Sequence, residues 1–182
     1  MATWKSRGLR GSTLEEMINQ TIERYRNQGL ALIQKVPTPI TPMEIDKTSR
    51  HITLAYFDRR STVDYIGVVQ GIPVCFDAKE CAEDTFPLRN IHEHQVAFMR
   101  DFERQEGVAF LLIHFTARDE FYYMPYREMM RFWNRMEAGG RRSFLISELD
   151  PAYYLENVHD ACLPILEGIQ RDLVRREEEQ EI

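Results

Sequence analysis

VDYIGVVQGIPVCFDAKE, Val63 to Glu80, carries two strand-like runs, VDYIGVV and IPVCFDA, either side of Gln70-Gly71. Two residues ending in glycine between such runs signal a hairpin. With Gln70-Gly71 as the turn, Val69 faces Ile72, Asp64 lies opposite Asp77, and Thr62 lies opposite Lys79. Strand alternation then puts Thr62, Asp64, Asp77 and Lys79 on one face. Opposed Cβ atoms sit roughly 4.5–5.5 Å apart. Two carboxylates at about 5 Å repel by roughly 3 kcal/mol at an effective dielectric of about 20. Such a pair persists if one carboxylate keeps a proton or a cation sits between them. The spacing also allows a bland alternative, in which the two aspartates are exposed strand-end residues and Lys79 is their salt-bridge partner.

Chemistry favours the cation. Hard oxygen ligands without His or Cys suit Mg²⁺ or Mn²⁺ better than zinc. A metal polarises a phosphoryl oxygen and lowers the pKa of bound water. Lys79 beside it would stabilise charge developing on a phosphate, a task that a general acid/base pair would not give it. Two helical residues extend the set. The first helix begins after Ser12 or Thr13, and Leu14, Met17, Ile18, Thr21, Ile22 and Tyr25 form its stripe. Glu15 borders that stripe and reaches the sheet edge, while Glu16 points to solvent. On a second helix, Ile91 to Gln105, Gln95 falls within the apolar stripe of Ile91, Phe98, Met99 and Phe102. A buried amide needs a hydrogen-bond partner or loses about 1–3 kcal/mol, so Gln95 is either a core glutamine bonded to backbone or part of the site. Other constellations fail on spacing. His92 and His94, at i and i+2 of a helix, diverge; Gly139-Gly140-Arg141-Arg142 lacks a Walker-type Lys-Ser/Thr; Trp4 and Trp133 read as packing residues.

Around this centre the chain alternates strands and helices. Leu30–Val36 and His51–Phe57 are strand-like, and Pro37, Pro39 and Pro42 bar regular structure between them until about Ser49. Val108–Phe115 is a nearly continuous apolar run, the pattern of a central buried strand. Glu120–Tyr126 leads into a helix stopped at Gly139-Gly140, and a last helix spans Glu156 to Arg175. The 182 residues make one mixed α/β domain, with an excursion at about 40–50 and loose ends at 1–11 and 176–182. No apolar run approaches the roughly 18 residues of a membrane span. Cys75, Cys81 and Cys162 match no zinc spacing and read as reduced thiols of a cytoplasmic protein. The net charge of −6 disfavours a nucleic-acid partner, although removing the tail carboxylates Glu177, Glu178, Glu179 and Glu181 leaves −2 and basic clusters such as Arg59/Arg60 and Arg141/Arg142 remain.

Taken together, RGSTLEEMIN, KVPTPI, AYFDRRSTVDYIG, CFDAKE, FPLRNIHEHQ and FWNRMEAGGRRS resemble the RecU family of Holliday junction resolvases, in order over Arg10 to Ser143. The resemblance implies a restriction-endonuclease-like PD-(D/E)xK fold, a mixed β-sheet flanked by helices with a protruding stalk. It implies a homodimer that cuts four-way junction DNA by paired nicks in recombination and repair. Mapped onto this sequence, it implies metal coordination (Mg²⁺, with Mn²⁺ as alternative) by Thr62, Asp64, Asp77 and Gln95. Lys79 would stabilise the transition state and Glu15 would support the site. The stalk falls at about Ile40 to Arg50; Arg10, with Arg59 and Arg60, is placed toward DNA, and a recombinase is a further expected partner. The chain departs from the family at Asp77, usually glutamate, and at Val63, where a second threonine is usual. Its basic N-terminal segment is short, and the chain is acidic where relatives are often basic. The alternatives are a related nuclease for other branched DNA, a junction-binding or recombinase-modulating protein with a decayed site, and an acidic scaffold without DNA contact.

Overall fold

The computed structural model describes residues 13–37, 39–57, 62–156, 158 and 162–180. Arg10, Arg59 and Arg60, expected to face DNA, lie outside them, as does Trp4. In chain order the elements are α1 (Leu14–Asn27), β1 (Ala31–Lys35), β2 (Ile40–Ile45), β3 (Ile52–Phe57), β4 (Tyr65–Val69), β5 (Ile72–Cys81), β6 (Thr85–Pro87), α2 (Glu93–Glu103), β7 (Val108–Phe115), β8 (Glu120–Pro125), α3 (Tyr126–Glu137), β9 (Ser143–Leu145) and α4 (Ile165–Gln180). A five-stranded sheet runs β1-β4-β5-β7-β8. Only β5 and β7 are parallel, with α2 as their crossover; the other pairs are antiparallel. This is the mixed sheet flanked by helices expected of a restriction-endonuclease-like core.

Every residue of β7 is buried, because both faces of this strand are covered, and the apolar run Val108–Phe115 serves that position. On one face, Tyr65, Phe76, Phe110 and Tyr123 stack in a row across four strands, with centroids 4.8, 4.7 and 4.4 Å apart. Helix α1 reaches this row where Asn19 accepts from the Tyr65 hydroxyl, and α4 does so where Asp172 accepts from Tyr123. Helix α2 lies on the opposite face, over Asp77. The α1 start has a capping box between Thr13 and Glu16, which satisfies N–H groups that the first helical turn leaves without partners. In the β4–β5 turn, Gln70 and Gly71 both take positive φ, +48° and +92°, the requirement of a two-residue hairpin turn.

Three segments differ from the sequence-based expectation. The prolines do not bar structure from 37 to 49: Ile40–Ile45 is a strand containing Pro42, paired with β3 as a separate two-stranded sheet. Proline is tolerated on such an exposed ribbon, and the register shifts beside Pro42 show its cost. The arm therefore includes β3 and extends to Phe57, beyond the stalk expected at 40–50. The last helix starts at Ile165, nine residues later than Glu156; Pro164 suits a helix start and cannot continue a preceding helix. At its other end α4 continues through Gln180, where loose residues were expected from 176. Arg176 is held by Glu103 and Asp172 at 2.7–3.2 Å. Pairing of β6 with β9 was not anticipated, since three-residue strands leave no periodicity. Among the described residues, no helix is long and apolar enough to cross a membrane.

Candidate metal centre

The β4–β5 register is the one derived from the Gln70-Gly71 turn, running from Val69 opposite Ile72 to Tyr65 opposite Phe76. Asp64 and Asp77 come next, just past the paired ladder. There the backbone bonds give way to a reciprocal arrangement. The Asp64 N–H donates to Asp77 Oδ1 (3.1 Å), and the Ala78 N–H donates to Asp64 Oδ2 (3.1 Å). Each carboxylate thus replaces a carbonyl in the ladder, which turns both side chains toward the same place. The edge strand holds Asp64 from its other side, through Val36 N–H to Asp64 C=O at 2.7 Å.

Asp77 is fully buried. Gln95, on the buried side of α2, donates to Asp77 Oδ1 at 2.8 Å. The amide thus meets both expectations in part, one end bonded to a site carboxylate and the other to backbone. The Gln95 carbonyl also accepts from His92 N–H (3.1 Å), which closes the start of α2. Lys79 forms an ion pair with Asp77 Oδ2, yet that oxygen is buried without a well-directed hydrogen bond. Burial pushes the Asp77 carboxyl up to about 6; Lys79 opposes the shift and the Asp64 carboxylate adds to it. Loss of water disfavours the charged form, and a like charge alongside does the same.

The donor set fits a hard divalent cation. A buried carboxylate oxygen lacks a directed partner, a second carboxylate lies beside it, and the ionised state is disfavoured until more positive charge arrives. Asp64 and Asp77 are the charged ligands available, Gln95 fixes one of them, and Lys79 is the neighbouring ammonium. Among the described residues no group of three or more His, Cys, Asp or Glu side chains gathers at metal-holding range, so further coordination would come from neutral oxygens. Thr62 is exposed and lies before the ladder.

Glu15 is brought to the sheet edge, as its place beside the α1 stripe predicts, but its partner there is Lys35 at the end of β1, 2.5 Å away. It is also close enough to the Tyr65 phenol to help raise that group, after burial and ahead of Asp64. Sequence reasoning missed Lys35, although a strand placed next to the hairpin would have brought its last residue near Glu15. It also missed Glu80, which alternation turns to the α1 face. There it accepts the Leu14 N–H at 2.9 Å and so anchors the helix that carries Glu15. His92 and His94 do not diverge. His92 is the extended residue before α2 rather than part of the helix, and the two rings stack with centroids 5.4 Å apart. Trp133 is buried, as expected for a packing residue.

Comparison with known proteins agrees along the chain. The family model for Recombination protein U matches residues 9–171. The Holliday junction resolvase RecU of Pediococcus pentosaceus is 37% identical over 169 residues, covering 90% of this chain and 84% of that protein. The protein of that name from Listeria welshimeri is 41% identical over 146 residues, covering 78% and 73%. The one from Lactococcus lactis subsp. cremoris is 40% identical over 169 residues, covering 90% and 78%. Among solved structures, the Archaeoglobus fulgidus Holliday junction resolvase Hjc aligns over 62% of this chain and 77% of that one, with a TM-score of 0.38 and 10% identity. That likeness is too distant to bear on the site.

Proposed function

The chain belongs to the Recombination protein U family, and on that premise we propose that it is a Mg²⁺-dependent endonuclease that resolves four-way DNA junctions, with Mn²⁺ as the alternative ion. The observation that carries the proposal is the buried Asp77 carboxylate, pressed against Asp64 and flanked by Lys79 and Gln95. A sheet gains no stability from such a pair, so it makes sense as a place for a cation.

Asp64 and Asp77 would hold the ion, with Gln95 keeping Asp77 oriented and Thr62 as a further proposed ligand. A divalent cation bound there supplies polarisation of a phosphoryl oxygen and a lowered pKa for water. Lys79 would then share Asp77 with the ion and present its ammonium to the charge that builds on the phosphate. Glu15, tethered to Lys35, would support the edge of the site. A homodimer would put one such site on each of two equivalent strands, since a twofold protein matches a nearly twofold junction and gives paired nicks. The β2–β3 arm is assigned to the centre of the junction, and Arg10, Arg59 and Arg60 to its arms. A recombinase remains a proposed further partner.

The test is metal-dependent nicking of a synthetic four-way junction by wild type, Asp64→Asn and Asp77→Asn. Both variants should lose cleavage and keep most of their junction binding; full activity in either would remove the metal site. A second reading, junction binding without cleavage, has one observation in its favour, the lack of a third charged ligand among the described residues. Titration calorimetry with Mn²⁺ separates the two, because a decayed site would take up no metal and make no nicks. Comparing junction, flap and linear duplex as substrates tests the remaining possibility, a nuclease for other branched DNA.

A further inference from the structure

A groove of about 930 Å³ is formed where the chain from Pro87 to His94 faces the end of α3 and Arg142. Two arginines line it, Arg89 and Arg142, and both side chains are exposed. Among the described residues most arginines have carboxylate partners: Arg118 pairs with Asp84, Arg135 with Glu148, Arg175 with Asp150 and Arg176 with Glu103. Arg89 and Arg142 have no ion-pair partner among the described residues, although Glu93 and Glu137 also border the groove. Within the groove Glu137 accepts from the indole N–H of Trp133, another lining residue, at 3.1 Å.

The groove is tied to the metal centre through two hydrogen bonds. His92, on its wall, donates its N–H to Gln95, and Gln95 donates to Asp77. We infer that this groove holds the DNA strand flanking the scissile phosphate, with Arg89 and Arg142 each on a backbone phosphate. The inference rests on the nuclease reading and deepens it, by giving the cut strand a track in a chain whose overall charge is unfavourable for DNA. Two guanidiniums left unpaired on one groove are what phosphate recognition requires, since a planar donor fork matches phosphate oxygens. An apolar ligand would leave both charges facing it without compensation.

The experiment measures binding of a labelled four-way junction against salt concentration, without divalent cation, for wild type, Arg89→Ala/Arg142→Ala, Arg89→Lys/Arg142→Lys and Arg171→Ala. Arg171 is on α4, on the opposite side of the sheet, and serves as the control. Each phosphate contact contributes about 0.9 to the slope of log affinity against log salt. The double alanine variant should therefore lose about 1.8 from the slope per subunit, about 3.6 for a homodimer, and bind at least about tenfold more weakly at 0.1 M salt. The double lysine variant should recover most of the slope. Thermal melts would show that the variants fold; the exposed Arg89 and Arg142 should leave the melt unchanged, and Arg171→Ala, which gives up bonds to the Ala152 and Tyr154 carbonyls, is compared at a temperature well below its own melt. An unchanged slope in the double alanine variant, or an equal loss in Arg171→Ala, overturns the groove while leaving the nuclease reading standing. Failure of wild type to bind the junction at all would take both down.

Discussion

The chain contains two antiparallel ribbons of similar local design and opposite fate, β2–β3 and β4–β5. In β4–β5 the flanking strands β1 and β7 pair on both sides, and Tyr65 and Phe76 are fully buried. In β2–β3 each strand pairs, among the described residues, with the other alone, and Ile40, Met43, Ile45, Ile52, Leu54 and Tyr56 are all about half exposed or more. A ribbon fixed on both edges can be made to hold two carboxylates against each other, since the packing around it outweighs a repulsion of roughly 3 kcal/mol. A ribbon without such support cannot store that energy and offers side chains to something outside the molecule. The site belongs on the first kind, and a protruding contact on the second.

The largest effect should come from the supported ribbon. Lys79→Ala should cut the nicking rate by about a hundredfold or more, the scale of losing one group that stabilises transition-state charge. Single-turnover kinetics at saturating junction would measure it, and a loss below about fivefold would return Lys79 to the role of salt-bridge partner. The frame itself is broken by Gly67→Ala. A Cβ at this position would sit 2.2 Å from the Leu32 carbonyl oxygen and 2.6 Å from the Ile33 Cα. Backbone of a paired strand cannot move away cheaply, so the expected destabilisation is roughly 3 kcal/mol or more by urea unfolding.

A third prediction concerns the repulsion. The folded Asp77 carboxyl is pushed up to about 6 by burial, above its value of about 3.9 in an unfolded chain. The native state therefore binds a proton more readily, and metal-free stability should rise as pH falls through 6. Each unit between that point and the unfolded value of about 3.9 is worth about 1.4 kcal/mol, and the gain levels off below it. Between pH 8 and 5 the gain should approach 1–1.5 kcal/mol, and Asp77→Asn should flatten it. Mg²⁺ should raise the melting temperature of wild type at pH 8 and not that of Asp77→Asn. A wild-type melting temperature indifferent to both acid and cation would mean that Asp77 is not under electrostatic stress.

How far the two ribbons could be read from sequence follows the same division. The Asp64–Asp77 register was legible because a two-residue turn fixes every cross-strand pair, and alternation does the rest. Gln95 was legible as a polar residue in an apolar stripe, though its partner was not. Pairs between distant elements were illegible: Glu15 with Lys35 and Glu80 with the Leu14 N–H depend on how α1 lies on the sheet. The arm was half legible. Its prolines signal a departure from the main sheet without breaking structure there, because proline's missing N–H matters only where a neighbour needs it. On an isolated ribbon one side of each strand needs none. The start of α4 is not legible because Leu155 and Leu163 are buried apolar residues that precede the helix and extend its apparent apolar stripe backwards.

The smallest effect on stability should come from the arm, and it sharpens the contrast most. Leu54 is 48% exposed on β3 and Met43 is 64% exposed on β2. Burying little, they contribute little, and exposed substitutions away from special features usually change stability by no more than about 0.5 kcal/mol. Leu54→Ser and Met43→Ser should therefore leave the urea midpoint nearly unchanged. If the arm meets the centre of a four-way junction, the same variants should weaken junction binding and nicking together while binding of linear duplex stays as it was. A fall in stability of 2 kcal/mol or more would place these side chains inside a contact, either with the body of the chain or with a second copy. The two cases separate on dilution, because only a contact between copies makes the loss depend on protein concentration.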